Sequence, residues 1–446
     1  MRGSGLRVHA GSGSPGDADR LERAAQESSD LEFQSFLASL GGALSAIGET
    51  VDAVERRLTA VAGASGRHDA RFSVFPTALL VSLGQGRAAT IEPTTRLSAT
   101  PRLDQIAAVH LLAEQAERGA VAPLEGISRL EEIRGMGDRF GTVSSVLGYA
   151  TLTVGIALIL HPAPQDVAAA AALGALVGAL RRLGRGRRPV EVLMPVLAAF
   201  LVAALTALAV KYDVTDPGLR AMIASIVVFI PGVALTTAFL ELAEGQMVAG
   251  SSRLVWAGTQ LGLLAFGIVA GIGAVGIPPE RAFSSADDVL GSWAPWLGVL
   301  VFAVGVMVAH SAPPGAFLSL LVTLYAAWAG QVAGNELFGG YASGFAGAVV
   351  MTLVAYMLAQ RPSTMPVYAM FLPGFWLLVP GSLGLIGLTT FVATPESASS
   401  GDLLAIVGSI AAVALGVLCG VELHGWLVSA ERRARRIRRG HRSPPD

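Results

Sequence analysis

The chain has 446 residues and a formal net charge of -1, which argues against nucleic acid as its main partner because neutralising phosphates needs a basic face. Its charges crowd the ends, with 33 in residues 1–140, 23 in 141–430 and 9 in 431–446, so the middle stretch is about 8% charged and belongs in a bilayer. Cys419 is the sole cysteine and Lys211 the sole lysine, which excludes an intramolecular disulfide, a Cys-based zinc centre and a GxxxxGK[ST] phosphate loop, and with the last any nucleotide-driven transport by this chain.

Residues 1–29 are Gly/Ser/Arg/Asp-rich without an apolar run and read as disordered, neither a signal peptide nor a span. From Phe33 to Val61, apolar residues recur at alternating spacings of four and three (Phe33, Leu37, Leu40, Leu44, Ile47, Val51, Val54, Leu58, Val61), a helical stripe. Gly41, Gly42 and Gly48 weaken one continuous helix and Glu49-Thr50 resembles a fresh start, so two short helices packed on their own domain are expected, with a coiled-coil dimer seam, and hence a homo-oligomer, as the alternative. Phe72 to Leu83 and Arg87 to Glu92 have strand character, and Leu103–Arg118 and Leu124–Ile133 are amphipathic. Residues 30–137 thus read as a small cytoplasmic α+β module.

From Gly141 on, ten apolar segments are long enough to span: 141–160, 166–181, 189–210, 219–241, 250–276, 291–310, 315–333, 338–359, 366–392 and 403–428. The expected architecture is a polytopic α-helical membrane protein of two inverted five-helix halves, 138–276 and 277–430, with a basic cytoplasmic tail at 431–446. With the module inside, the inner loops and the tail hold 14 arginines against Lys211, Arg220 and Arg281 outside, which fits the positive-inside rule with both termini cytoplasmic in a cell (inner) membrane.

Helix breakers fall in the fourth span (Phe229-Ile-Pro-Gly232) and the ninth (Phe371-Leu-Pro-Gly374, then Val379-Pro-Gly381). Each proline removes a donor and frees a carbonyl one turn earlier, and breaks at corresponding positions of inverted halves mark a transporter's binding site. Other signatures fail. Gly271-Ile-Gly-Ala-Val-Gly276 matches GxGxxG but ends a membrane span, so it reads as a packing surface with Gly267, Gly174 and Gly178, and no HExxH or GxSxG is present.

Leu40-Gly-Gly-Ala-Leu-Ser-Ala-Ile-Gly48 with Val51-Asp-Ala-Val-Glu55, Phe229-Ile-Pro-Gly-Val-Ala-Leu-Thr-Thr237 with Glu241, Gly250 and Arg253, and Leu378-Val-Pro-Gly-Ser382 resemble the signatures of the threonine/serine exporter family over nearly all of residues 30–428. The family's central motif usually carries Asp where this chain has Glu241, which keeps the charge and changes the reach. The resemblance implies a non-enzymatic, proton-coupled amino-acid exporter; related two-chain versions are associated with dicarboxylate export. The expected site is the polar lining freed at Pro231, Gly232, Pro373, Gly374, Pro380 and Gly381, with Thr236, Thr237 or Ser382 for the substrate hydroxyl. Glu241 and Arg253 serve proton coupling or a cytoplasmic gate. The expected partners are a small amino acid, protons and the lipid bilayer, with no cofactor and no metal. A small dicarboxylate exporter and a membrane scaffold or sensor without transport activity are the rivals.

Overall fold

The computed structural model describes residues 15–83, 90–93, 102–160, 163–214, 218–278, 281, 290–361, 365–378 and 400–440. The N-terminal unit carries helices α1 (Pro15–Ala46), α2 (Val51–Ala64), α3 (Leu103–Glu117) and α4 (Pro123–Gly135), and an antiparallel sheet ordered β1 (Ala70–Phe75), β2 (Ala78–Leu83), β3 (Thr90–Pro93). All nine residues of the apolar stripe are buried within this one chain, so the stripe is a core and not a dimer seam. Each such side chain contributes roughly 1.5–3 kcal/mol on leaving water.

Three details differ from the sequence reading. Residues 15–29 are helical, since α1 runs back to Pro15. The same helix passes through Gly41, where a side chain would collide with Leu79 and Leu58, so that glycine serves close packing against the sheet and α2. The break comes instead at Gly48, whose φ of +100° suits glycine alone. Thirdly, Phe72–Leu83 is two strands, not one, because Pro76-Thr77 makes a tight turn that sets Phe75 opposite Ala78.

The rest is a multi-pass helical membrane protein. Among the described residues, seven helices are long and apolar enough to cross a membrane. These lie in α5 (Gly141–Ile159), α6 (Pro164–Gly184), α7 (Arg188–Lys211), α10 (Met247–Val275), α12 (Phe317–Phe338), α13 (Gly340–Ala359) and α15 (Ser400–Gly440). An eighth candidate is the bent pair α8 (Gly218–Ile226) and α9 (Gly232–Ala243); α11 (Ala294–Ala309) and α14 (Val367–Leu378) are apolar but shorter. The last helix carries the basic tail with it as far as Gly440.

The packing repeats itself. Helices α5 and α11, the first of each proposed half, lie against one another, and α10 packs on α7 as α15 packs on α13. Small residues explain the closeness. Gly267 and Gly271 of α10 face the Val196 and Phe200 carbonyls, and Gly416 and Gly420 of α15 face Phe345 and Thr352 in the same four-residue spacing. Along the α5–α11 seam, Gly148 approaches the Ala309 nitrogen, Gly155 the Phe302 backbone, Gly298 the Gly155 carbonyl and Gly305 the Leu152 backbone.

The N-terminal unit docks on these helices through named bonds. The Leu103 amide donates to the His310 carbonyl at 3.0 Å, Arg139 N–H donates to Ser311 Oγ at 3.4 Å, and the His110 ring stacks on Tyr368 at 5.4 Å.

Candidate functional site

The fourth apolar segment is broken where the sequence places Pro231-Gly232. Helix α8 tightens into a 3₁₀ turn at Val227–Phe229, and α9 leaves at 58° to it with Pro231 as its N-cap residue. The Gly232 amide turns back to the Ile230 carbonyl at 2.8 Å. A side chain at Gly232 would stand 3.9 Å from the Phe375 carbonyl of α14, so the fourth and ninth segments meet at this point.

Helix α14 itself is not broken at Pro373-Gly374, which corrects the expectation of a helix break there. An interior proline deletes one hydrogen bond, here to the Ala369 carbonyl, and one lost bond need not end a helix. Gly374 lets the buried Met351 thioether sit against the backbone. Pro380, Gly381 and Ser382 lie outside the described residues.

At the far end of α9, Glu241 is fully buried and receives Arg253 Nε on both carboxylate oxygens, at 3.1 and 3.0 Å. It also accepts the Val51 amide at 3.2 Å. That amide is one of the donors left unpaired at the start of α2, so a carboxylate from the membrane part caps a helix of the N-terminal unit, where the helix dipole favours negative charge. Thr50 Oγ1 accepts Ala53 N–H at 3.3 Å to complete the cap. Arg253 donates onward to the Glu49 carbonyl at 3.1 Å, and Gly48 rests near Val233. The loop between α1 and α2 is thus clasped by the second half of the broken segment.

Behind that loop the Glu49 carboxylate is fully buried, 3.2 Å from Arg57 Nε and 3.3 Å from His110 Nδ1, with neither contact in hydrogen-bond geometry. Arg57 is also held by Glu117 at 2.7 Å. Burial pushes the Glu49 carboxyl up to about 7, only partly offset by Arg57. Burial and the Arg57 charge push the His110 ring down to about 3.

A second polar feature lies where the N-terminal unit meets α5, α6 and the break. It is a cavity of about 140 Å³ whose lining includes Arg102, Asp138, Tyr149, Arg181, Phe229 and His310. Asp138 binds Arg182 at 2.8 Å, Arg185 at 2.5 Å and Arg102 at 3.4 Å. Burial works against its charge, but these arginines hold the Asp138 carboxyl below its ordinary range. Arg181 stands apart from that group, its guanidinium lying over the Tyr149 ring at 5.3 Å and the Phe229 ring at 5.8 Å.

Of the residues expected from sequence, Pro231, Gly232 and Glu241 belong to the broken segment, and Arg253 of α10 forms the ion pair with Glu241. Thr236 and Thr237 are buried in α9, and the Thr236 hydroxyl already donates to the Gly232 carbonyl at 3.0 Å. Glu49, Arg57, His110, Asp138, Arg181 and His310 were not anticipated as a group. Their partners come from distant parts of the chain, and the one local hint was the helix start at Glu49-Thr50. No group of three or more His, Cys, Asp or Glu able to hold a metal occurs among the described residues.

No curated protein and no solved structure matches the chain. Residues 35–274 match the family model described as "Putative threonine/serine exporter", a stretch that contains the α1–α2 loop, the broken segment and the Glu241–Arg253 pair. The chain therefore belongs to the threonine/serine exporter family, a family of membrane transporters.

Proposed function

We propose that the protein exports small hydroxy amino acids, threonine and serine, by proton antiport across the cell membrane. The observation that carries this reading is the broken segment inside the family-matched region, meeting the ninth segment at Gly232 and Phe375. On this reading the seven long helices, the bent pair and the two shorter apolar helices make ten crossings in two inverted halves, with the N-terminal unit and both termini cytoplasmic. The substrate sits where the two segments meet, lined by Pro231, Gly232, Pro373, Gly374 and the Pro380-Gly381-Ser382 stretch. The positive end of α9 suits its carboxylate. The Glu241–Arg253 pair works as the inner gate. Threonine and serine differ by one methyl, worth only about 1–3 kcal/mol in a pocket, so weak discrimination between them follows.

Arg181 favours a second reading. It puts a fixed cation beside the break, which a small dicarboxylate would want. Counterflow of labelled threonine, serine and succinate in proteoliposomes, with and without a pH gradient, separates the cases. Amino-acid exchange that speeds up with an inward proton gradient is expected. Succinate-only exchange would transfer the assignment to dicarboxylates, and absence of any flux would leave a scaffold or sensor.

A further inference from the structure

Among the arginines around the cavity, Arg102, Arg182 and Arg185 converge on Asp138, whereas no carboxylate among the described residues stands within ion-pair distance of Arg181. The polar side chain beside Arg181 is Tyr149, whose hydroxyl donates to the Ser225 carbonyl at 3.4 Å. A guanidinium offers five donors in a planar fork and no acceptor, so its natural complement is a planar two-oxygen anion. The two rings hold the guanidinium by its faces, at 5.3 and 5.8 Å.

Across the cavity, His310 is 2% exposed and its Nε2 has no hydrogen-bond partner. Its ring packs on Trp376 at 4.9 Å, two residues past Gly374, while Phe229 lies two residues before Pro231. Phe229 thus brings the fourth segment to the cavity wall, and the ninth backs that wall through the Trp376 contact with His310. A lone water needs only about 10–15 Å³, so a cavity of about 140 Å³ suits a small molecule.

We propose that this cavity is the substrate's anion pocket, in which Arg181 binds the carboxylate of the transported small molecule and His310 Nε2 meets another of its polar groups. The inference rests on the transport reading above and adds to it the group that recognises charge. It moves the carboxylate from the helix end to Arg181 of α6, whose guanidinium lies over Phe229, two residues before Pro231.

The test is binding to the purified full-length protein in nanodiscs of purely zwitterionic lipid, read as the ligand-induced shift in Tm. The probes are L-threonine, L-serine, succinate and L-threoninol, which keeps the amine and hydroxyl but lacks the carboxylate. The wild type should bind threonine and ignore threoninol. Arg181→Gln should weaken threonine about 30-fold or more, and Arg181→Lys should restore part of it because charge returns without the fork. Equal binding of threonine and threoninol by the wild type overturns the proposal even where Arg181→Gln fails to fold, and so does undiminished threonine binding by a folded Arg181→Gln. In both cases the transport reading survives. Arg181-dependent binding of succinate alone keeps the pocket and ends the amino-acid reading. Binding of no soluble carboxylate sinks both. An Arg181-dependent shift seen only on adding phosphatidylglycerol makes this a lipid-phosphate site and overturns the proposal.

Discussion

Glu49 shows how a residue that reads as a helix start becomes an ionisable group at a joint. Its carboxyl, raised to about 7 by burial, holds a proton in the folded protein that the unfolded chain releases near its ordinary value. Between those two values the folded state binds more protons, so the Glu49 contribution to stability falls as pH rises from about 4.5 through 7. His110, lowered to about 3, works in the opposite sense: its contribution rises with pH from about 3 to 6.5. Subtracting wild type from Glu49→Gln isolates the first effect. The variant should gain Tm relative to wild type as pH goes from 5 to 8, with little difference at pH 5; a pH-independent difference would remove the buried-acid assignment. The sequence offers Arg253 either Glu241 or Glu244 as a partner, or a plain anchoring role, and the structure pairs it with Glu241; no sequence pattern shows that Asp138 occupies three arginines and leaves Arg181 without a carboxylate. Counting charges gives topology; it does not tell which charges are already engaged.

Among the elements, the broken segment was the most legible, because Pro-Gly in an apolar run has few outcomes and the chain takes one of them. Pro373-Gly374 carries the same dipeptide inside an unbroken helix, so the motif alone does not decide between a break and a tolerated proline. What surrounds it does: Gly232 faces a backbone carbonyl of another segment, whereas Gly374 faces the flexible Met351 side chain. Pro231→Ala with Gly232→Ala should regularise the fourth segment and improve its own hydrogen bonding. Transport per folded molecule is expected to fall at least tenfold while Tm in detergent holds or rises; the reverse pair of outcomes, lower Tm with wild-type flux, would make the break a packing kink. Phe72–Leu83 divides at Pro76-Thr77 for a related reason, since a proline inside an apolar run permits a turn.

At the scale of the molecule, seven long apolar helices, one bent pair and two shorter apolar helices among the described residues fall on the apolar segments found from composition. Length and hydropathy located the segments, but the pairing of α10 with α7 and of α15 with α13 depends on glycine spacings that gain meaning only once the partner helix is known. The orientation can be checked on the two sides of α7, where Leu183 in the last turn of α6 and Tyr212 just past α7 are both well exposed. In a Cys419→Ser background, Tyr212→Cys should react with an impermeant maleimide on intact cells and Leu183→Cys only after permeabilisation. Labelling of Leu183→Cys from outside would invert the assignment.

The glycine seam between α5 and α11 has a mechanical consequence. Most contacts between helices are made by side chains, which can change rotamer and let one helix slide over the other. Here Gly155 and Gly305 bring backbone directly against backbone, and Gly148 and Gly298 extend that contact along both helices. Such a surface has no rotamers to exchange, so it resists sliding and twisting while neighbouring contacts repack. Helices α5 and α11 thus behave as a fixed spindle shared by both halves. Compliance lies at the 3₁₀ turn of Val227–Phe229 and the adjoining Pro231, where the backbone already departs from regular helix.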